Sequence, residues 1–487
     1  MQDKKRKQKI RIIINDLLML FSVIAIVTTL VFITQGWTLD KGSAQQTGLV
    51  QFSSSPTGAT IEIGQNTLYA KTNTKANVLP GEHEFKIWRE GYETWYRKTN
   101  VNAGEVLWLN YVRLVPKQKT IKTFGDFLNL KQMKIYPNRE NALLLSSSDD
   151  GSVKFSKIDI KSESPVEKNI ELSADLFEKT TISKNGVEAP IVLADQINIE
   201  DILNDNNHMI IKQTINNTVN WILVDTSKPE ESQNLTKEFN INFDQVKSIS
   251  SDGSKLLVRT GSDLRQLDTN DKTVSAIIAS SITDFNIYNN EVVGFTKKQD
   301  DSEKYSVGIL KIGEKPIVVK TELTSPKIAV SEYYNENYLH VIDDSHVFIY
   351  KASSWPTDKN NLKLYKTLSL SFSPDELQID DDGRILTVSL KNKTYVYDIE
   401  TDETFNIDTE TDADTTRKIT WIDPFVIYYF NQDKLIIRDF DGSNKQTLMT
   451  AQENFPVTLS SNNKYIYAIQ KTEDDEYTLA QLKMIID

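Results

Sequence analysis

Three observations predict a mainly β chain with a single N-terminal transmembrane helix, a small antiparallel β-sandwich and a seven- or eight-bladed β-propeller. The first is one long uncharged run, from Leu17 to Leu39. The second is a switch to two-residue alternation soon after it. The third is a strand-and-turn unit that recurs throughout the region 121–487.

The chain has 487 residues, enough for more than one domain, with 39% apolar and 25% charged residues. Cysteine is absent, so disulfides, thiolate metal sites and cysteine nucleophiles are excluded. The net charge of −12 hides an asymmetry. Residues 1–11 hold six basic side chains against Asp3, a net +5, which leaves −17 on the rest. Such an acidic body lacks the basic footprint that nucleic acid requires.

The uncharged run of 23 residues reaches about 34 Å as a helix, enough for a hydrocarbon core about 30 Å thick. Residues 12–39 are therefore read as the transmembrane helix, and 1–11 as a basic cytoplasmic tail. The positive-inside rule puts residues 40–487 on the extracytoplasmic side, with Trp37 at the outer interface. The run is too long for a signal peptide and no A-x-A site follows it, so the anchor is expected to stay uncleaved.

"DKGSAQQTG", residues 40–48, reads as a flexible linker. From residue 49 to 115 about five short strands are expected, with turns at Pro56-Thr57-Gly58, Pro80-Gly81, Glu90-Gly91 and Ala103-Gly104. The stretches "SSPTGATIEIG", "LPGEHEFKI", "EGYETW" and "VNAGE" resemble, in that order, the PEGA domain, a surface β-sandwich module of bacteria and archaea. The resemblance covers residues 49–115. It departs from the family at Pro56-Thr57-Gly58-Ala59, at Ile63-Gly64 and at "KTNT". It implies an extracytoplasmic module beside a membrane anchor, with recurring residues that shape turns and core.

Residues 121–487 repeat a polar turn, a β run, a second turn and another β run. Leading turns near Asn206, Asp252, Asn290, Glu336, Asp382, Pro424 and Asn463 lie 46, 38, 46, 46, 42 and 39 residues apart. With a further copy at 138–160 there are eight candidate units, which is propeller spacing. Residues 161–203 look like an insertion with one or two short helices. The copies resemble the degenerate propellers of TolB and WD40-like proteins in architecture, though the Gly-His and Trp-Asp signatures are missing.

Motifs for chemistry are scarce. His83-Glu84 begins a zinc-protease pattern, but the fifth position is Ile87, so the second ligand is absent. Alternation sets His83 with Phe85 and Ile87, and Glu82 and Glu84 on the other face. Ser461 and Lys464 have Ser-x-x-Lys spacing, at a place where a turn is expected. Asp149-Asp150, Asp343-Asp344 and Asp380-Asp381-Asp382 have the composition of a Ca²⁺ site or an acid–base pair. All three clusters fall at predicted hairpin turns, where Asp caps the backbone. "DTETDADTT", residues 408–416, lacks the calcium-loop order. His340 and His346 flank a hairpin, and facing each other they would form a metal pair. Tyr333, Tyr334, Trp355, Trp421, Tyr428 and Tyr429 are an aromatic surplus, expected between blades or at ligand-stacking loops.

No catalytic, cofactor-binding or metal residue is assigned, and no cofactor. The expectation is a non-enzymatic, single-pass extracytoplasmic binding or scaffold protein. Its partners would be the lipid bilayer through residues 12–39 and an envelope protein, peptide or cell-wall glycan on the propeller. Alternatives are a propeller enzyme acting on envelope polysaccharide or peptide, and an envelope-assembly or sensory scaffold.

Overall fold

The computed structural model describes residues 2–34, 36–40, 43–184, 187–300, 302–355, 358–409, 419–472 and 476–486. The acidic segment noted above lies outside them from residue 410 onward, as do the side chains of the basic tail. Two compact units divide the chain: Met1–Gln118 with Ile485–Asp487, and Lys119–Met484.

The first unit opens with one helix, Gln2–Thr34. Lys, Arg and Gln are good helix formers, so the helix runs back through the basic tail and does not begin at residue 12. Its apolar span, Ile13–Phe32, is long and apolar enough to cross a membrane and is unburied. Ser22 Oγ and Thr29 Oγ1 donate to the carbonyls four residues back, at 2.8 Å each, so both hydroxyls are satisfied within the helix. Gly36 has φ +74°, and from there the backbone is no longer helical.

Two expectations need correction at this point. The helix does not reach residue 39, because Trp37–Asp40 is a strand. The linker is not a plain spacer, because Ser43–Gln46 pairs with that strand as an antiparallel hairpin.

The sandwich that follows has two sheets. One holds Thr74–Val78, Gly48–Ser55 and Val106–Arg113; the other holds Asn66–Thr67, Thr60–Ile63, Gly81–Trp88 and Trp95–Val101. The sandwich is not wholly antiparallel, since Gly48–Ser55 and Val106–Arg113 pair in parallel. Such a pair needs a long crossover, here supplied by the opposite sheet. Val50, Phe52, Ile61, Phe85, Ile87, Trp95 and Leu109 fill the core between the sheets. Ile486 joins that core, and its N–H donates to Tyr92 Oη at 2.8 Å.

The second unit contains eight four-stranded antiparallel sheets among the described residues. In chain order the first seven lie within residues 130–170, 197–234, 245–274, 282–323, 327–369, 376–408 and 420–450. The eighth joins Thr458–Leu459, Tyr465–Lys471 and Tyr477–Lys483 to Ile121–Phe127 from the start of the unit. The expected insertion is smaller than 161–203. Glu167–Ile170 completes the first sheet and Ile197–Ile202 opens the second. Between them lie two short 3₁₀ helices, Ala174–Leu176 and Ala194–Gln196, and the hairpin Thr180–Lys184 with Val187–Ile191.

Neighbouring sheets share buried apolar clusters. Leu145 and Phe155 of the first sheet pack with Ile199 and Ile211 of the second. Trp221 of the second packs with Leu256 of the third, and Leu257 of the third with Phe285 of the fourth. The fourth and fifth meet at Val307 and Leu339, the fifth and sixth at Ile349 and Val388. Phe405 of the sixth stands edge-on to Phe440 beyond the third strand of the seventh, 5.7 Å between ring centres. Gln470 of the eighth donates to the Thr450 carbonyl of the seventh at 2.7 Å. Tyr467 and Leu479 of the eighth pack with Leu144 and Ile158 of the first.

Candidate functional site

Turn chemistry accounts for carboxylates at two recurring positions. Between the first and second strands of six sheets an Asn or Asp caps the next residues. Asn138 accepts from Glu140 N, Asp205 from Asn207 and His208 N, and Asp252 from Ser254 N. Asp380 accepts from Ile385 N, Asp423 from Phe425 and Val426 N, and Asn462 from Lys464 N. A second Asp ends the third strand and caps the following turn at Asp159, Asp225, Asp268 and Asp398. These side chains close local rings that tight turns favour. Hydrogen bonds from Ser254 hold Asp252 down to about 2.

The first strands of the sheets carry a different set of side chains. Gln132 Nε2 donates to the Ile199 carbonyl of the next sheet at 3.0 Å, and its Oε1 accepts from Ile199 N at 2.7 Å. Gln245 donates to the Phe285 carbonyl at 3.0 Å and Asn286 to Ile328 at 2.8 Å. Gln378 donates to Ile419 at 3.0 Å. Four seams are thus stitched by amides, which satisfy carbonyls that point away from their own ladders.

Against this background, a cavity of about 390 Å³ opens where the first strands of the fourth, fifth and sixth sheets come together. Asp284, Thr296, Lys327, Asp375, Glu376 and Gln378 line it, with Ile328 and Leu377 as apolar wall. Asp284 also accepts from Gln245 at 3.1 Å. The lining offers carboxylates, one ammonium and amides, a donor and acceptor set suited to a polar ligand. None of its four ionisable residues was singled out from sequence. Asp284 and Lys327 stand in β runs and Asp375 and Glu376 at the opening of a third, and only the packing of three sheets separated by about 45 residues in sequence brings them together.

The residues that the sequence did single out fall elsewhere. His83 is half-buried beside Phe85, and its Nε2 lies 2.7 Å from the Leu79 carbonyl; Glu82 and Glu84 are exposed on the opposite face. Ser461 donates its N–H to the Arg139 carbonyl in a turn, at 3.0 Å. His340 and His346 do not face one another: His340 pairs with Ile349, and His346 with Asp343. Asp150 caps Ser152 N. Asp343 accepts from Thr324 and Ser325 N, and Asp344 from Ser373 Oγ.

Tyr333 and Tyr334 meet edge to face at 4.9 Å, with Tyr334 largely exposed. Trp355 packs against the cluster between the fourth and fifth sheets. Trp421 is half-buried on the first strand of the seventh sheet, and its indole N–H is without a partner. Tyr428 accepts from Val457 N, and Tyr429 lies under the Arg438 guanidinium.

The strongest ionic site is in the sixth sheet. Arg384 makes a bidentate pair with Asp398, at 2.8 and 2.6 Å, and also binds Glu400. Tyr333 hydrogen-bonds Glu400, and the guanidinium lies over Phe425. All donors point inward at protein groups, so the cluster reads as a clip between strands. In the second sheet His208 takes the equivalent place, 2.5 Å from Asp205 and 3.5 Å from Asp225. No group of three or more His, Asp or Glu among the described residues is arranged to hold a metal ion.

Residues 47–118 match the PEGA domain. The match takes in the sandwich and the strand order described above. No curated protein matches the chain. Among solved structures, an oligogalacturonate lyase of Vibrio parahaemolyticus is similar at 11% identity and TM-score 0.38, over 75% of this chain and 97% of that one. Hsv2 of Kluyveromyces lactis is similar at 10% identity and TM-score 0.39, over 74% and 98%. The Cps50 (Swd1) β-propeller domain of Myceliophteria thermophila is similar at 9% identity and TM-score 0.40, over 68% and 100%.

Proposed function

We propose that this chain is a membrane-anchored extracytoplasmic binding or scaffold protein, whose eight sheets are the blades of one propeller. What supports a ring is how the ends of the unit meet. The first strand of the unit pairs with the last, and the eighth sheet packs on the first as every other sheet packs on its successor. Ring closure hides sheet edges and leaves inner strands and loops as the free surface, which suits binding. The polar cavity among the fourth, fifth and sixth sheets is the ligand site in this reading.

The anchor rests on the unburied apolar helix and the six basic residues before its apolar span. The absence of cysteine makes orientation testable. Tyr69→Cys places one thiol at a fully exposed position of the sandwich. A membrane-impermeant maleimide should label it in intact cells, and labelling only after lysis would overturn the orientation.

For the cavity, the full chain carrying a photo-crosslinking residue at Glu376 should capture an envelope protein, peptide or glycan. Asp284→Asn should weaken that capture. Capture unchanged by the substitution would move the ligand elsewhere. An enzyme acting on envelope polysaccharide is the second reading, favoured by four ionisable side chains lining one cavity. Release of soluble fragments from cell-wall polymers, abolished by Glu376→Gln, would replace binding with catalysis.

A further inference from the structure

The exposed face of the four-stranded sandwich sheet carries an arrangement that the fold does not need. Glu62, Glu82, Glu84, Lys86, Trp88, Tyr96 and Lys98 alternate with the core residues Ile61, Phe85, Ile87 and Trp95, so they share that outer face. Trp88 and Tyr96 are large aromatic residues left 38% and 39% exposed. Lys86 pairs with Tyr96, and Trp88 is two residues further along the same strand. The two aromatics are therefore diagonal neighbours, about 7–8 Å apart between Cα atoms.

Each ring is tied at its polar edge by a carboxylate. Trp88 Nε1 donates to Glu62 Oε1 at 2.9 Å. The Tyr96 hydroxyl hydrogen-bonds Glu84. Lys98 holds Glu82 at 2.7 Å. These two rings are held at their polar edges at the surface, more than a third of each residue exposed.

We propose that this face is a platform for a pyranose glycan chain, with Trp88 and Tyr96 stacking on sugar rings and Glu62, Glu84 and Lys86 serving the hydroxyls. The chemistry matches on both counts. The electron-rich faces of aromatic rings attract the slightly positive C–H faces of pyranoses. Carboxylates and an ammonium set beside the rings accept from and donate to equatorial hydroxyls without burying a lone charge. Three carboxylates on the face disfavour the competing occupant, an anionic lipid surface. The platform is separate from the ring cavity and does not depend on what that cavity binds.

The test uses the full chain in detergent micelles, titrated with cellohexaose and chitohexaose while tryptophan fluorescence is followed. One of the two should bind, and Trp88→Ala should weaken it at least tenfold. Tyr96→Ala should also weaken it, whereas Tyr96→Phe, which keeps the ring, should stay within about threefold. Thermal melting of each variant shows that the sandwich is intact, as expected for exposed positions. Failure of both hexaoses to bind the wild-type chain would overturn the proposal, as would binding unchanged in Trp88→Ala. Reconstituted in phosphatidylcholine–phosphatidylserine vesicles, the chain should show no Trp88-dependent blue shift; such a shift would assign the face to lipid. The ring cavity is read by the Glu376 crosslink, so either site can fail without the other.

Discussion

The fifth and sixth sheets each bury an ionisable residue, and they do so with opposite acid–base sign. His340 is fully buried in the fifth, with Ser331 Oγ 2.9 Å from Nε2, Tyr338 stacked at 6.1 Å and Nδ1 unpartnered. Burial lowers it to about 3, so it is neutral. In the sixth, Asp380 is nearly as buried, and burial, with Asp382 adding to it, pushes its carboxyl up to about 7. The sixth sheet also keeps a charge, on Arg384, where burial opposes ionisation and Asp398 and Glu400 more than offset it. The comparison teaches that a buried ionisable group either surrenders its charge or is given a full set of counter-groups.

Breaking the charged cluster should have the largest effect. Arg384→Met leaves Asp398 buried and unpaired, and should cost about 3–5 kcal/mol in urea unfolding followed by ring tryptophan fluorescence. A loss under 1 kcal/mol would mean that the cluster is solvated.

The opposite signs give a sharper test. His340 has a folded pKa below its unfolded value, so its contribution is present above about 6.5 and is lost as pH falls. Asp380 has a folded pKa above its unfolded value, so the folded state gains as pH falls through about 7. From pH 6.5 to 5 each effect amounts to about 2 kcal/mol, and they offset one another. The wild-type chain should therefore change less there than either single variant. His340→Gln should become more stable toward pH 5, and Asp380→Asn less stable. Parallel profiles for the two variants would sink the account.

The smallest effect belongs to His346, which is exposed at the start of its strand. His346→Ala should change stability by less than about 0.5 kcal/mol, and added Zn²⁺ should not raise the melting temperature of the wild-type chain.

The parts legible in the sequence are those encoded locally. Asp-Gly and Asn turns announce hairpins because their backbone conformations are residue-specific. Gly253, at φ +76°, and Asn463, at φ +59°, are examples, and their spacing revealed the repeat. His83 was readable for the same reason, since alternation alone puts it beside Phe85. Pairings between distant strands have no such mark. Nothing near Gly48 or Val106 announces a parallel pair, and nothing at Ile121 announces Tyr477–Lys483 as its neighbour. The candidate cavity was invisible on the same ground. Asp284, Lys327 and Glu376 are ordinary surface residues in one dimension and share a cavity wall in three.

The pairing of the unit's first strand with its last also has a mechanical side. Ile121–Phe127 is an edge strand, held by Tyr477–Lys483 on one flank alone, with its register broken between Phe124 and Phe127. With the chain anchored as proposed, a pull along it from the N-terminal helix reaches this strand before the other sheets of the unit. In the proposed propeller, such tension would act as a ripcord, parting the eighth sheet first and leaving the other sheets stacked.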